Sequence, residues 1–187
     1  DYGYYVVAVP GATLANTSGQ YATLVSVDST NVNANIKGSL PTVDKKVQVN
    51  GNGADTADAK IGDTLTFTLT STIPDMSAYD TYTFNFKDTL SKGLTYGDIT
   101  SVTVEGVDAP LVKDTDYTVT TTPAAAGNTL LTVGMTDFKN KQQTNAGKKI
   151  TVTYTATLNE NAVVGGAGNV NSATIQYSND PSSTGTG

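Results

Sequence analysis

The chain of 187 residues contains no cysteine, no histidine and no tryptophan. Without cysteine there are no disulfides and no thiol nucleophile; without histidine there is no imidazole general base; without either, the usual zinc sites are gone. Most hydrolase and oxidoreductase chemistry is disfavoured for the same reason. Absence of cysteine is common in a reducing compartment, yet it fits equally an exported protein whose covalent staples come by another route. Charge is scarce as well, at 15% of residues, and its balance is acidic, with a net charge of -6 and a pI near 4.4. Nucleic acid or an anionic membrane surface would need a basic patch, so neither is expected as a partner. No run approaches the roughly 20 apolar residues of a membrane span, so no membrane insertion is expected of this segment, and no charged-then-apolar signal segment opens the chain.

What fills the sequence instead is Thr, Gly, Val, Asn and Asp, the composition of strands and turns. From Ile61 onward the period is two nearly everywhere. Leu65, Phe67 and Leu69 alternate with threonines, and Ile150, Val152, Tyr154, Ala156 and Leu158 alternate with Thr and Lys. Further strands are expected at Ser101 to Val107, Tyr117 to Thr122 and Thr129 to Met135, with turn-rich segments at Pro123 to Asn128 and Lys139 to Gly147. Helix is expected only as single turns near Pro74 to Tyr79 and Asn159 to Val163. Roughly seven to nine strands between Val43 and Tyr177 make a sandwich. Residues 1–37 read as the closing strands of a preceding, truncated domain plus linker: Tyr4 to Val9, Tyr21 to Val27 and Val32 to Ile36 are strand-like, but too few to bury a core alone. The start at Asp1, directly before an apolar run, reads as a cut through a longer polypeptide. Residues 38–181 then form the main domain and 182–187 a tail or linker.

Three polar residues fall in phase with apolar strand faces. Lys45 shares a face with Val43, Val47 and Val49, while Asp44, Lys46 and Gln48 point out. Asp88 continues the face of Tyr82, Phe84 and Phe86, and Asn171 begins that of Ala173, Ile175 and Tyr177. An unpaired buried charge costs several kcal/mol, so an amine, a carboxyl and a carboxamide pointing inward are expected to meet. One outcome is chemistry among the three. The other is a buried Lys45 to Asp88 ion pair with Asn171 satisfying a backbone group.

In the blocks PTVDKKV, IGDTLTFTLTSTIPD, FNFKDTLSKGL and YTATLNENAVVGGAGNVNSATIQYSNDP, spanning Pro41 to Pro181, the chain resembles the isopeptide-forming second domain of Gram-positive backbone pilins, the shaft subunits of sortase-assembled fimbriae. The resemblance implies an all-β, immunoglobulin-like sandwich with an intramolecular isopeptide bond. It also implies roles: Lys45 and Asn171 as the cross-linked pair, and Asp88 as the residue that assists the reaction. The bond forms once per molecule, so no enzyme is implied, and neither a cofactor nor a metal. The implied setting is extracellular, in a cell wall-anchored pilus, with other pilin subunits joined by sortase as partners. An adhesin or minor pilin would use the same scaffold to present a surface to a host ligand, and stands as the alternative. A carbohydrate-active enzyme would need a working pair of carboxylates in a cleft, and nothing marks one.

Lys37, eight positions before Lys45, is the candidate sortase acceptor. The Val-Tyr-Pro-Lys context usual in the family is replaced by Ala34, Asn35 and Ile36, so a solvated linker lysine is the competing reading. Acidic stretches at Asp55 to Asp63 and Asp114 to Asp116 lack EF-hand spacing and read as solvated turns rather than calcium sites. Gly165, Gly166, Ala167 and Gly168 lie between strand-like segments with no following lysine, which suits a turn or bulge and not a phosphate loop. Tyr2, Tyr4 and Tyr5 read as part of the buried face of the missing domain.

Overall fold

A computed structural model describes residues 41–48, 59–163, 169 and 171–179 in full, and the backbone alone of residues 3–8, 22–27, 49 and 52–54. Within these lie eleven strands: β1 (Gly3–Ala8), β2 (Ala22–Val27), β3 (Asp44–Val49), β4 (Asn52–Ala54), β5 (Thr64–Thr72), β6 (Phe84–Leu90), β7 (Leu94–Val104), β8 (Tyr117–Pro123), β9 (Thr129–Met135), β10 (Lys149–Leu158) and β11 (Asn171–Tyr177). A single short α-helix, α1 (Phe138–Gln142), and two 3-10 turns, Ala125–Gly127 and Gln143–Asn145, make the fold mostly rather than wholly β. The first two strands pair with each other as an antiparallel hairpin. The third expected strand of that region, Val32 to Ile36, lies outside the described residues, as do Tyr2, Lys37, the tail and the Gly165 to Gly168 run.

The remaining nine strands form two sheets that face each other as a sandwich. One has the order β4-β3-β5-β10-β7 and the other β11-β6-β9-β8, with antiparallel pairing throughout both. Strict alternation explains why. In β5 the inward positions Leu65, Phe67, Leu69 and Ser71 are buried and the threonines between them are not. Thr70 and Thr151, paired across β5 and β10, join their hydroxyls at 3.1 Å on the outer face. In β6 Phe84, Phe86, Asp88 and Leu90 are all fully buried. Each phenylalanine so placed contributes about 1.5–3 kcal/mol relative to an exposed one.

Two local departures from the sequence pattern have physical causes. The seventh strand begins seven residues before the expected Ser101 (101 minus 94), because its inward face slips phase between Tyr96 and Ile99, where the pairing with β10 shifts register. A bulge of this kind hides a strand from a period-two reading. Gly97 occupies the slip, and a Cβ there would lie 2.6 Å from the Thr155 hydroxyl oxygen, so the two strands need a glycine to approach. The second departure is α1, which lies in a stretch read as turn. It is held by Phe138, stacked on Phe84 with centroids 4.5 Å apart, and by buried Gln142. Five residues with two inward side chains are too short to show a helical period. At Pro74 to Tyr79 and Asn159 to Val163, where helical turns were expected, the chain makes hydrogen-bonded turns instead, closed by Tyr79 N–H to Met76 C=O and Ala162 N–H to Asn159 C=O, each at 3.0 Å.

Candidate functional site

Burial along β3 alternates from Asp44 to Gln48, with Asp44 and Lys46 exposed, Lys45 turned inward and Val47 buried. Lys45 sits opposite Leu69 of β5, so its side chain extends over the inner face of the first sheet. Its Nζ lies 5.0 Å from the centroid of the Phe67 ring, a cation–π distance. From the opposite sheet comes Asp88, on the strand beside β11. The Lys45 ammonium donates to both of its oxygens, at 2.7 Å to Oδ1 and 2.6 Å to Oδ2. The lysine side chain keeps 16% of its surface exposed and the aspartate none.

A fourth residue completes the cluster. Tyr154, fully buried on β10 opposite Phe67, stacks on that ring with centroids 5.1 Å apart. Its hydroxyl donates to Asp88 Oδ2 at 2.6 Å and accepts from Asn171 Nδ2 at 2.9 Å. The tyrosine's single proton is committed to the carboxylate, so only its lone pair faces Asn171, and the amide must turn N–H toward it. That orientation leaves Asn171 Oδ1 buried with no hydrogen-bond partner. The sandwich thus brings together side chains from β3, β6, β10 and β11, two from each sheet.

The electrostatics follow from burial. Desolvation pushes the Lys45 ammonium below the ordinary lysine range, against the opposing pull of the Asp88 charge and hydrogen bonds. It pushes the Asp88 carboxyl up, against the opposing effects of Lys45 and the Tyr154 hydroxyl. The two shifts agree, since both move the pair toward a neutral amine facing a neutral carboxyl. Burial and the neighbouring Asp88 push the Tyr154 hydroxyl well up, so it remains a protonated phenol.

Such an arrangement has the parts of an amide-forming site: an amine that burial can neutralise, an acid beside it, and a carboxamide whose carbonyl oxygen awaits a donor. The simple ion-pair alternative is met in its first half only, since Asn171 bonds the Tyr154 hydroxyl and no backbone group. Tyr154 itself was visible in the sequence only as an apolar-face residue. The usable signal was its hydroxyl, because a tyrosine on a core face must find a polar partner. No cluster of three or more acidic side chains suited to a metal occurs among the described residues.

Comparison with known proteins bears on the same region. A family model described as Gram-positive pilin backbone subunit 2, Cna-B-like domain, matches residues 61–181. Among curated proteins, none matches the chain in sequence. Among solved structures, the pilus backbone RrgB of Streptococcus pneumoniae superimposes with a TM-score of 0.55 at 28% identity, over 76% of this chain and 54% of that one. The full-length major pilin SpaD of Corynebacterium diphtheriae gives 0.62 at 26% identity, over 100% of this chain and 45% of that one. The major pilin subunit BcpA of Bacillus cereus gives 0.61 at 20% identity, over 100% and 53%, a likeness of fold alone. This chain spans about half the length of each of the three.

Proposed function

The chain belongs to the Gram-positive pilin backbone family through its Cna-B-like domain, and from that premise we propose that it is a structural segment of a covalently polymerised pilus shaft whose sandwich closes itself with a Lys45 to Asn171 isopeptide bond. One observation carries the reading: the contact chain Lys45, Asp88, Tyr154, Asn171, centred on the fully buried Asp88 and Tyr154 and running from one sheet to the other. The reaction begins when the shared proton moves from Lys45 to Asp88, leaving a free amine. Nζ attacks the Asn171 Cγ, and the protonated carboxyl of Asp88 donates to Oδ1 as charge develops there. Asp88 then takes a proton from the attacking nitrogen, a proton is delivered to Nδ2, which leaves as ammonia, and Oδ1 returns its proton to Asp88 as the carbonyl re-forms. Folding makes the pair intramolecular, and effective concentrations of that kind replace much of what an enzyme supplies.

Intact mass of the denatured chain tests this directly. The wild type should weigh one ammonia less than its sequence, with a branched peptide joining the segments around Lys45 and Asn171, and Lys45→Ala should show the full sequence mass. A wild type of unmodified mass would refute the cross-link and leave the cluster as a buried polar network.

The domain plan of a truncated preceding unit at 1–37, a cross-linked sandwich at 38–181 and a tail at 182–187 is part of the same proposal, as is subunit linkage through Lys37 at a Gram-positive cell surface. Sortase-catalysed polymerisation should therefore stop in Lys37→Arg while the mass loss persists. Polymerisation equal to wild type would remove Lys37 as the sole acceptor.

A further inference from the structure

We infer that the Tyr154 hydroxyl is the proton relay to the departing nitrogen, and that it also fixes which way the Asn171 carboxamide faces. The inference rests on the cross-linking reading above and adds a residue to it. Asp88 alone has two duties at opposite ends of one carboxamide: it must serve the carbonyl oxygen during attack and the nitrogen during departure. The hydrogen bonds divide these duties. Tyr154 lies between Asp88 Oδ2, at 2.6 Å, and Asn171 Nδ2, at 2.9 Å, so the leaving nitrogen is reached from the carboxylate through one hydroxyl. Meanwhile the partnerless Oδ1 is the only polar atom of that amide not engaged by the tyrosine, which reserves it for the acid.

The step balances. Lys45 Nζ forms the bond to Cγ and Oδ1 takes the Asp88 proton; the attacking nitrogen then returns a proton to Asp88. The hydrogen bond between Asp88 and Tyr154 reverses, with the carboxyl now donating from Oδ2 to the phenol oxygen. The phenol proton passes to Nδ2 as the Cγ–Nδ2 bond breaks, and ammonia departs. When the carbonyl re-forms, Oδ1 gives its proton back to Asp88. Counted from the neutral amine and neutral carboxyl, Asp88 and Tyr154 end as they began, and the lysine has lost the one proton that the carboxamide nitrogen gained.

Position in the fold suits the role. Tyr154 stacks on Phe67 at an interplanar angle of 16° and has Tyr96 at 6.2 Å on another side, so its ring is held without help from the hydroxyl. Tyr154→Phe should therefore keep the packing and lose the relay together with the hydrogen bond that orients Asn171.

The test follows the wild type and Tyr154→Phe after arrested cell-free synthesis, with intact mass reporting loss of ammonia over time and circular dichroism reporting folding. The expected result is a folded variant that loses ammonia about a hundred-fold more slowly, the scale of a deleted general acid. A variant that cross-links at the wild-type rate overturns the relay and leaves the isopeptide reading intact. A wild type that never loses ammonia overturns the isopeptide reading itself, and the relay with it. Should Tyr154→Phe fail to fold, a fluorinated tyrosine placed at 154 keeps ring and hydroxyl while lowering the hydroxyl pKa. A relay then requires the rate and its pH profile to move with that acidity, and an unchanged rate and profile overturn it.

Discussion

Asp88→Ala is expected to keep the full sequence mass and to be stable only marginally or not at all at neutral pH. Two losses combine. Without the acid the Lys45 to Asn171 bond does not form, and the loop-entropy relation for cross-links assigns about 5 kcal/mol to a closure of this length, a model-dependent figure. The 126 positions enclosed follow from the numbering, 171 minus 45. In addition Lys45 loses its counter-charge while still over the apolar face. Breaking a buried pair in this way costs about 3–5 kcal/mol, and the 16% exposure of the lysine side chain points to the lower end. Together these approach the 5–15 kcal/mol by which whole domains are stable.

The pH dependence of the same variant has a definite sign. Removing Asp88 removes both influences that raise the Lys45 pKa and leaves desolvation, which lowers it from 10.5. A depressed lysine binds fewer protons folded than unfolded, so stability should rise as pH climbs from the lowered folded value toward 10.5, and fall as pH drops back through that window. Calorimetric melting of Asp88→Ala across neutral and alkaline pH checks this. A melting temperature that falls with rising pH over that range, or a mass short by one ammonia, would contradict the assignment of Asp88.

The sequence disclosed the sandwich because its strands are half-buried and alternate strictly: β5, β9 and β10 stand where Leu65 to Leu69, Thr129 to Met135 and Ile150 to Leu158 place them. The same parity turned Lys45 and Asp88 inward, since a side-chain period of two leaves each residue only one of two faces. Parity says nothing about how two sheets align, and so it could not disclose that Tyr154 bridges Asp88 and Asn171. That contact depends on tertiary placement of β10 against β6 and β11. The bulged start of β7 and the helix α1 were hidden for the opposite reason, a local break of phase and a segment too short to have one. Asn171 shows where parity is blunt: its residue is half-exposed as a whole, while its side-chain carbonyl oxygen is buried.

Asn171→Ala should change the response to force more than any other property, and it does so cleanly. It removes the cross-link but leaves the Lys45 to Asp88 pair and the Tyr154 to Asp88 hydrogen bond, neither of which involves Asn171. In the wild type, the proposed amide should carry tension entering before Lys45 across to Asn171, from where it leaves. The strands β4 to β10 lie inside that closure and should carry no load. In Asn171→Ala the same tension acts on β3, held by its ladder to β5, and on β11, which among the described residues is an edge strand paired only with β6. Once those ladders yield, the whole enclosed segment can extend, releasing on the order of 400 Å of chain at roughly 3.3–3.6 Å per residue. Single-molecule extension of the two proteins should therefore differ by that step, present in Asn171→Ala and missing in the wild type. Equal extension in both would show that no covalent path joins the two strands, because a ladder of hydrogen bonds can be pulled apart and an amide at these forces cannot.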